Sequence, residues 1–84
     1  MKKVFTDRAW DEYLYWQKHD KRMLKKVNEL IKDIERNHPH GIGKPEALKH
    51  TLSGFWSRRI NEEHRLVYRV LEDQIQIVQM RYHY

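Results

Sequence analysis

Cysteine is absent from the 84 residues, and there are only two prolines and three glycines. Without cysteine no disulfide can staple the chain and no thiolate zinc site can form, a composition that suits a reducing cytoplasm. Long apolar runs are missing as well. No stretch approaches the roughly 18 residues that a membrane span requires, and the opening MKKVFTDRAW has two lysines but not the apolar core of a secretion signal. There is no internal repeat, low-complexity tract or interdomain linker. Residues 1–84 therefore read as one soluble, cytoplasmic domain, small enough that its core must be compact.

Acidic residues are the minority among the charges. Seventeen Lys and Arg face twelve Asp and Glu, for a formal net charge of +5. A basic domain of this size meets a polyanion or simply presents a well-solvated surface, and charge alone does not separate the two. What is plentiful is aromatic: three Trp, five Tyr and two Phe are too many for a disordered, charge-dominated chain.

The hydrophobic period divides the chain. Lys3–Thr6 reads as a short strand. From Asp7 to about Lys18, the residues Ala9, Trp10, Tyr13, Leu14 and Trp16 recur mostly at three- and four-residue spacing, with Thr6 or Asp7 able to cap the helix. Asp20 is positioned to cap a second helix, to about Arg36, whose stripe is Met23, Leu24, Val27, Leu30, Ile31 and Ile34. The two form an antiparallel hairpin. Pro39, Gly41 and Gly43 end the helical pattern. After Gly54, the segments FWSRRI, RLVYRVL and IQIVQMRYHY alternate as strands of an antiparallel meander. The architecture is α+β, with the helical hairpin covering one face of the sheet.

Familiar catalytic signatures are missing from this frame. Gly41-Ile-Gly43 is too short for a phosphate-binding glycine loop, and Ser53 and Ser57 have no nucleophile elbow around them. His38-x-His40 lacks a further ligand nearby. No metal and no cofactor is expected. Four groups remain. Lys44-Pro45-Glu46, with Lys49 and His50, reads on spacing alone as a solvated turn. Arg58 and Arg59 are strand neighbours and must point to opposite faces, so at least one faces outward, where it would meet phosphate. Arg65, Val67 and Arg69 share one face of their strand, while Leu66, Tyr68 and Val70 form the core face. Two guanidiniums on one side suit phosphate recognition. In the terminal Arg81-Tyr82-His83-Tyr84, strand parity puts Arg81 and His83 together.

A carboxylate, guanidiniums and a histidine on a basic fold are compatible with RNA transesterification. That reaction needs a base for the 2′-hydroxyl, an acid for the departing 5′-oxygen, and cations around the phosphorane. Histidine, with a reference pKa of about 6.5, is the natural acid near neutral pH. The residues permit this chemistry without demanding it.

The run GKPEALKHTLSGFWSRRINEEHRLVYRV, with the terminal RYHY, resembles the YoeB/Txe branch of the RelE-like bacterial toxins, the mRNA interferases of type II toxin–antitoxin systems. DEYLYWQKHDKRMLKKVNELIKDIERN resembles the helical hairpin of the same group, so the similarity covers nearly the whole chain. It implies a microbial-RNase-like fold and a ribosome-dependent endoribonuclease that cuts mRNA and inhibits translation. It also implies Glu46 as general base, Arg65 as stabiliser of the transition-state phosphate, His83 as general acid and Tyr84 orienting the RNA. Lys49 and Arg59 would support phosphates, and Arg58 joins them as a substrate-binding candidate. The implied products are a 2′,3′-cyclic phosphate, or its opened 3′-phosphate, and a 5′-hydroxyl. The implied partners are a YefM/Axe-like antitoxin that wraps the site, the ribosome and mRNA, with no membrane. Ala47 stands where a close relative is expected to carry proline, which loosens the loop beside Glu46. Trp10, Tyr13 and Trp16 support a homodimer if they are exposed, or the core if they are not.

The implied site sets a condition on register. A two-residue loop pairing Leu71 with Gln74 puts Arg65 opposite Met80 and His83 on the wrong side. A three-residue loop pairing Leu71 with Ile75, or a bulge with the same effect, brings His83 to the face of Arg65.

Overall fold

The computed structural model describes residues 1–84. Helix α1 runs Asp7–His19 and starts where the Thr6 hydroxyl accepts from the Ala9 N–H at 3.1 Å. Helix α2, Lys21–Asn37, starts on Asp20, whose carboxylate accepts from the N–H groups of Arg22 and Met23. Asp20 also ends α1, its own N–H bonding the Trp16 carbonyl. One residue thus closes one helix and opens the next, and each cap contributes about 1 kcal/mol. The α2 stripe buries Met23, Val27, Leu30, Ile31 and Ile34. A fully buried side chain such as Leu30 stabilises by about 1.5–3 kcal/mol.

The strands are β1 (Lys2–Phe5), β2 (Glu46–Ala47), β3 (Trp56–Arg59), β4 (Arg65–Leu71) and β5 (Gln74–Gln79), arranged in one sheet in the order β1-β5-β4-β3-β2. The meander β3-β4-β5 is antiparallel as expected. The expected sheet is incomplete at both edges, however. The amino-terminal strand joins it parallel to β5, making the sheet mixed, and Glu46–Ala47 pairs antiparallel with β3. One hydrophobic cluster links Ala9 and Trp16 of α1 and the α2 stripe to Leu66, Tyr68, Ile75, Ile77 and Met80 beneath them.

The other face departs from simple alternation. Arg65, Leu66, Val67 and Tyr68 are all buried, although only Leu66 and Tyr68 of these four belong to the helix-covered core. Val67 is 1 % exposed because something else covers the outer face. On that face the carboxy-terminal segment is fastened back to the sheet, with Gln79 holding the carbonyls of Arg81, Tyr82 and His83 and the Tyr84 hydroxyl reaching Glu46.

The β4–β5 hairpin has the two-residue loop, with Leu71 opposite Gln74. A bulge then corrects the register: Tyr68 pairs with Ile77 but Val67 with Gln79, so Val78 is the extra residue. The required shift is met by a bulge inside the strand and not by a longer loop. Beyond it the Arg65 N–H donates to the Tyr82 carbonyl at 3.0 Å.

Candidate active site

Glycine begins the construction of the site. Gly43 has φ +81°, and a side chain there would press on Leu30 and on the backbone of Arg59. Its carbonyl accepts from the Arg59 N–H at 2.7 Å, which fastens the loop to β3. Lys44 follows in the left-handed region, at φ 51°, a conformation that costs a side-chain-bearing residue about 1–2 kcal/mol. The chain is thereby turned so that Glu46 enters β2 directly opposite Ser57.

Arg65 is placed by the β3–β4 turn. Asn61 accepts from the N–H groups of Glu63 and His64 through its side chain, an Asx-type turn. Nη1 of Arg65 donates to the carbonyls of Asn61, Glu62 and His64. The guanidinium is therefore locked by one nitrogen while its remaining N–H groups have no partner within the chain, leaving a planar fork available to an anion.

His83 arrives from the far side. The strand stops at Gln79, Tyr82 takes a left-handed conformation at φ 66°, and the chain reverses. The result is a pocket lined by Lys44, Pro45, Glu46, Ser57, Arg59, Arg65, His83 and Tyr84. The Tyr84 hydroxyl donates to Oε1 of Glu46 at 2.7 Å. Lys49 lies in an adjoining hollow that also holds Glu46 and Tyr84. Glu46, Arg59, Arg65, His83 and Tyr84 thus converge, with Lys49 beside them. Lys44 and Pro45, which spacing alone reads as part of a solvated turn, line the pocket with no role expected for them, and Ser57 was not expected there at all. Strand parity could have found Ser57, since it shares a face with Arg59 two residues on.

Arg58 does not belong to this group. It is fully buried, facing the helices as the inward member of the Arg58–Arg59 pair. Its Nε donates to the Tyr68 hydroxyl, Nη1 to Asp33 of α2 and to the Ile42 carbonyl, and Nη2 to the His40 carbonyl. It is therefore unavailable to any ligand in the pocket and instead ties α2, the following loop and the sheet together. Gly41, at φ +121°, makes room for it: a side chain there would collide with Asp33 and Arg58. Arg81 is also redirected. It lies 3.5 Å above the Tyr15 ring, on the α1 side, because strand parity ends at Gln79 and no longer couples it to His83. Arg69 bonds Gln76 and covers Phe55, outside the pocket.

The Arg58 cluster is sensitive to acid. His38 contacts the Tyr68 hydroxyl through Nδ1 at 3.3 Å. Burial, then the charges of Arg58 and His40, lowers its pKa below the ordinary 6.5. Between that lowered value and 6.5 the unfolded chain binds more protons than the folded one. This contribution to stability is complete above 6.5 and is lost as pH falls. At Asp33, burial acts to raise the pKa, but hydrogen bonds from Arg58, Asn37 and the Ile42 N–H hold it below 3.8, so its stabilisation is lost only in stronger acid. The urea midpoint of unfolding is expected to drop between about pH 7.5 and about pH 5.5, and to drop less in His38→Gln. Equal drops in the two proteins would remove His38 as the cause.

The family model of the YoeB-like toxin of bacterial type II toxin–antitoxin systems matches residues 5–84. Toxin YoeB of Escherichia coli (strain K12) is 62% identical over 84 residues, all of both chains. The solved YoeB/ParE toxin from Agrobacterium tumefaciens matches with a TM-score of 0.97 at 48% identity, again over 100% of each chain. YoeB from Staphylococcus aureus, solved as a dimer and in a heterotetrameric YoeB–YefM complex, matches with a TM-score of 0.94 at 52% identity, covering 100% of this chain and 98% of that one. A match across nearly every residue, in sequence and in backbone alike, leaves one conclusion: this chain belongs to the YoeB-like toxins of bacterial type II toxin–antitoxin systems.

Proposed function

We propose that this toxin is an endoribonuclease that cuts mRNA on the ribosome, through attack of the 2′-hydroxyl on the adjacent phosphate. The observation that carries the reading is the convergence of a carboxylate, two guanidiniums and an imidazole around one pocket. Glu46 takes the 2′-proton. Its Oε1 is held by Tyr84 and Oε2 is free, so the base is oriented without being blocked. Arg65 and Arg59 receive the charge that builds on the phosphorane oxygens, with Lys44 and Lys49 along the flanking phosphates. His83 protonates the departing 5′-oxygen. The products are a 2′,3′-cyclic phosphate and a 5′-hydroxyl. All the proton transfers and the charge compensation come from side chains, so the mechanism calls for no metal.

Two partners follow from the same reading. The S. aureus relative is seen bound to YefM, and an antitoxin of that type covering the basic pocket would silence this toxin. That relative is also seen as a dimer. Here Trp16 is buried, while Trp10 is 48 % exposed and stacks on Tyr13, an apolar patch that suits a second copy. Cleavage on ribosomes places the activity in the cytoplasm.

The test is cleavage of a defined mRNA on programmed ribosomes, alongside the same RNA free in solution, using toxin stripped of metal beforehand. The expected result is rapid cleavage on the ribosome that leaves a 2′,3′-cyclic phosphate and a 5′-hydroxyl end. A 5′-phosphate product, the mark of a water nucleophile, would exclude the mechanism.

A further inference from the structure

We infer that Gln79 is the positioning residue that presents His83 to the substrate, an inference that rests on His83 acting as the general acid. Strand pairing does not hold His83, because β5 ends at Gln79. The side-chain amide of Gln79 does. Its Nε2 lies 2.9 Å from the carbonyl of Arg81, 3.3 Å from that of Tyr82 and 2.8 Å from that of His83. Three converging acceptors admit only a donor, which determines the amide orientation. The residue is 7 % exposed, so water is a poor substitute for it.

Register explains why this residue can do it. Glu46 pairs with Ser57, Ser57 with Val67, and Val67 with Gln79, a row running across one face of the sheet from the base to the amide. The bulge at Val78 puts Gln79 in that row. The terminal residues span it: the His83 carbonyl is held at one end and the Tyr84 hydroxyl reaches Glu46 at the other. Tyr82 is gripped separately, its N–H donating to Nδ1 of the buried His64 at 2.7 Å and its carbonyl accepting from the Arg65 N–H. For the His83 backbone, Gln79 is the sole hydrogen-bond partner.

Gln79→Met keeps length and volume and removes the donors. On programmed ribosomes its turnover is expected to fall about 10²-fold with KM unchanged, as a displaced catalytic group requires, while the urea midpoint shows it folded. Nitrogen-15 relaxation is expected to show residues 82–84 newly mobile on the picosecond–nanosecond timescale. The decisive measurement uses an mRNA with a 5′-phosphorothiolate at the scissile position, whose thiolate leaves without being protonated. If Gln79 works through His83, the variant cleaves this substrate at the wild-type rate. An equal loss on both substrates, or an ordered terminus with normal turnover, overturns the assignment. Should Gln79→Met not fold, Gln79→Leu, which is also free of donors and adds no charge, carries the same test. His83→Ala separates the two levels of the argument. If it cleaves normally, the acid role itself fails, whereas if it is inactive beside an active Gln79→Met, only the Gln79 assignment fails.

Discussion

Replacing His83 with alanine is expected to slow cleavage of ribosome-bound mRNA by about 10²–10⁴-fold, the range set by losing a positioned general acid. The side chain is exposed at the pocket mouth, so the fold is expected to be untouched. Glu46→Ala is expected to produce a loss of the same order, but the two deficits differ in kind. The 5′-phosphorothiolate substrate is expected to restore His83→Ala and leave Glu46→Ala slow, since an easier leaving group does nothing for the 2′-proton. Glu46→Gln sharpens the second case, because its amide oxygen still accepts from Tyr84 but cannot take up a proton. Wild-type turnover in Glu46→Gln would reduce Glu46 to an anchor for Tyr84. Rescue of both alanine variants by the thiolate would mean that proton transfer to the leaving group involves Glu46 as well.

The second large effect concerns stability. Arg58→Leu is expected to destabilise by about 3–5 kcal/mol, the usual result of removing one partner from a buried ion pair. Asp33 and the carbonyls of His40 and Ile42 all lose their guanidinium donor, and the Tyr68 hydroxyl loses its contact with Nε. Asp33 is 17 % exposed and can recruit water, which favours the lower end. Against a total of about 5–15 kcal/mol for a small domain, even that is a large fraction. Gly41→Ala is expected to weaken the same cluster, because its added methyl meets Asp33 and Arg58 and its backbone is left-handed. Arg59→Ala offers the control: one residue away and exposed, it is expected to shift stability by less than about 0.5 kcal/mol while reducing cleavage. Urea unfolding and the ribosome assay, applied to both arginine variants, separate the roles. Equal unfolding midpoints for Arg58→Leu and wild type would mean that the buried cluster does not stabilise the fold.

These neighbouring arginines show where reading the chain alone stops. Strand parity requires Arg58 and Arg59 to face opposite ways, yet it cannot say which is inward. That is decided by Asp33, 25 residues earlier on α2, and by the absence of a side chain at Gly41.

Local information sufficed wherever the determining interaction is local. The α2 stripe, the Thr6 and Asp20 caps and the division of β4 into faces rest on periods of three to four or of two residues, and the fold retains them all. The β1–β5 pairing and the short β2 were not readable, because each depends on a partner that folding brings from elsewhere. The same holds for the proposed acid. His83 stood out only through resemblance in the closing motif, since a histidine among tyrosines at a chain end has no periodicity to interpret. Its place beside Arg65 depends on Val78 bulging from β5, Tyr82 turning left-handed and Gln79 holding the carbonyls of Arg81, Tyr82 and His83. The sequence alone determined the residue types the chemistry needs and the elements that carry them. Their convergence was decided by tertiary structure, because a one-residue shift in strand register moves a side chain to the other face of the sheet and leaves no mark on local pattern.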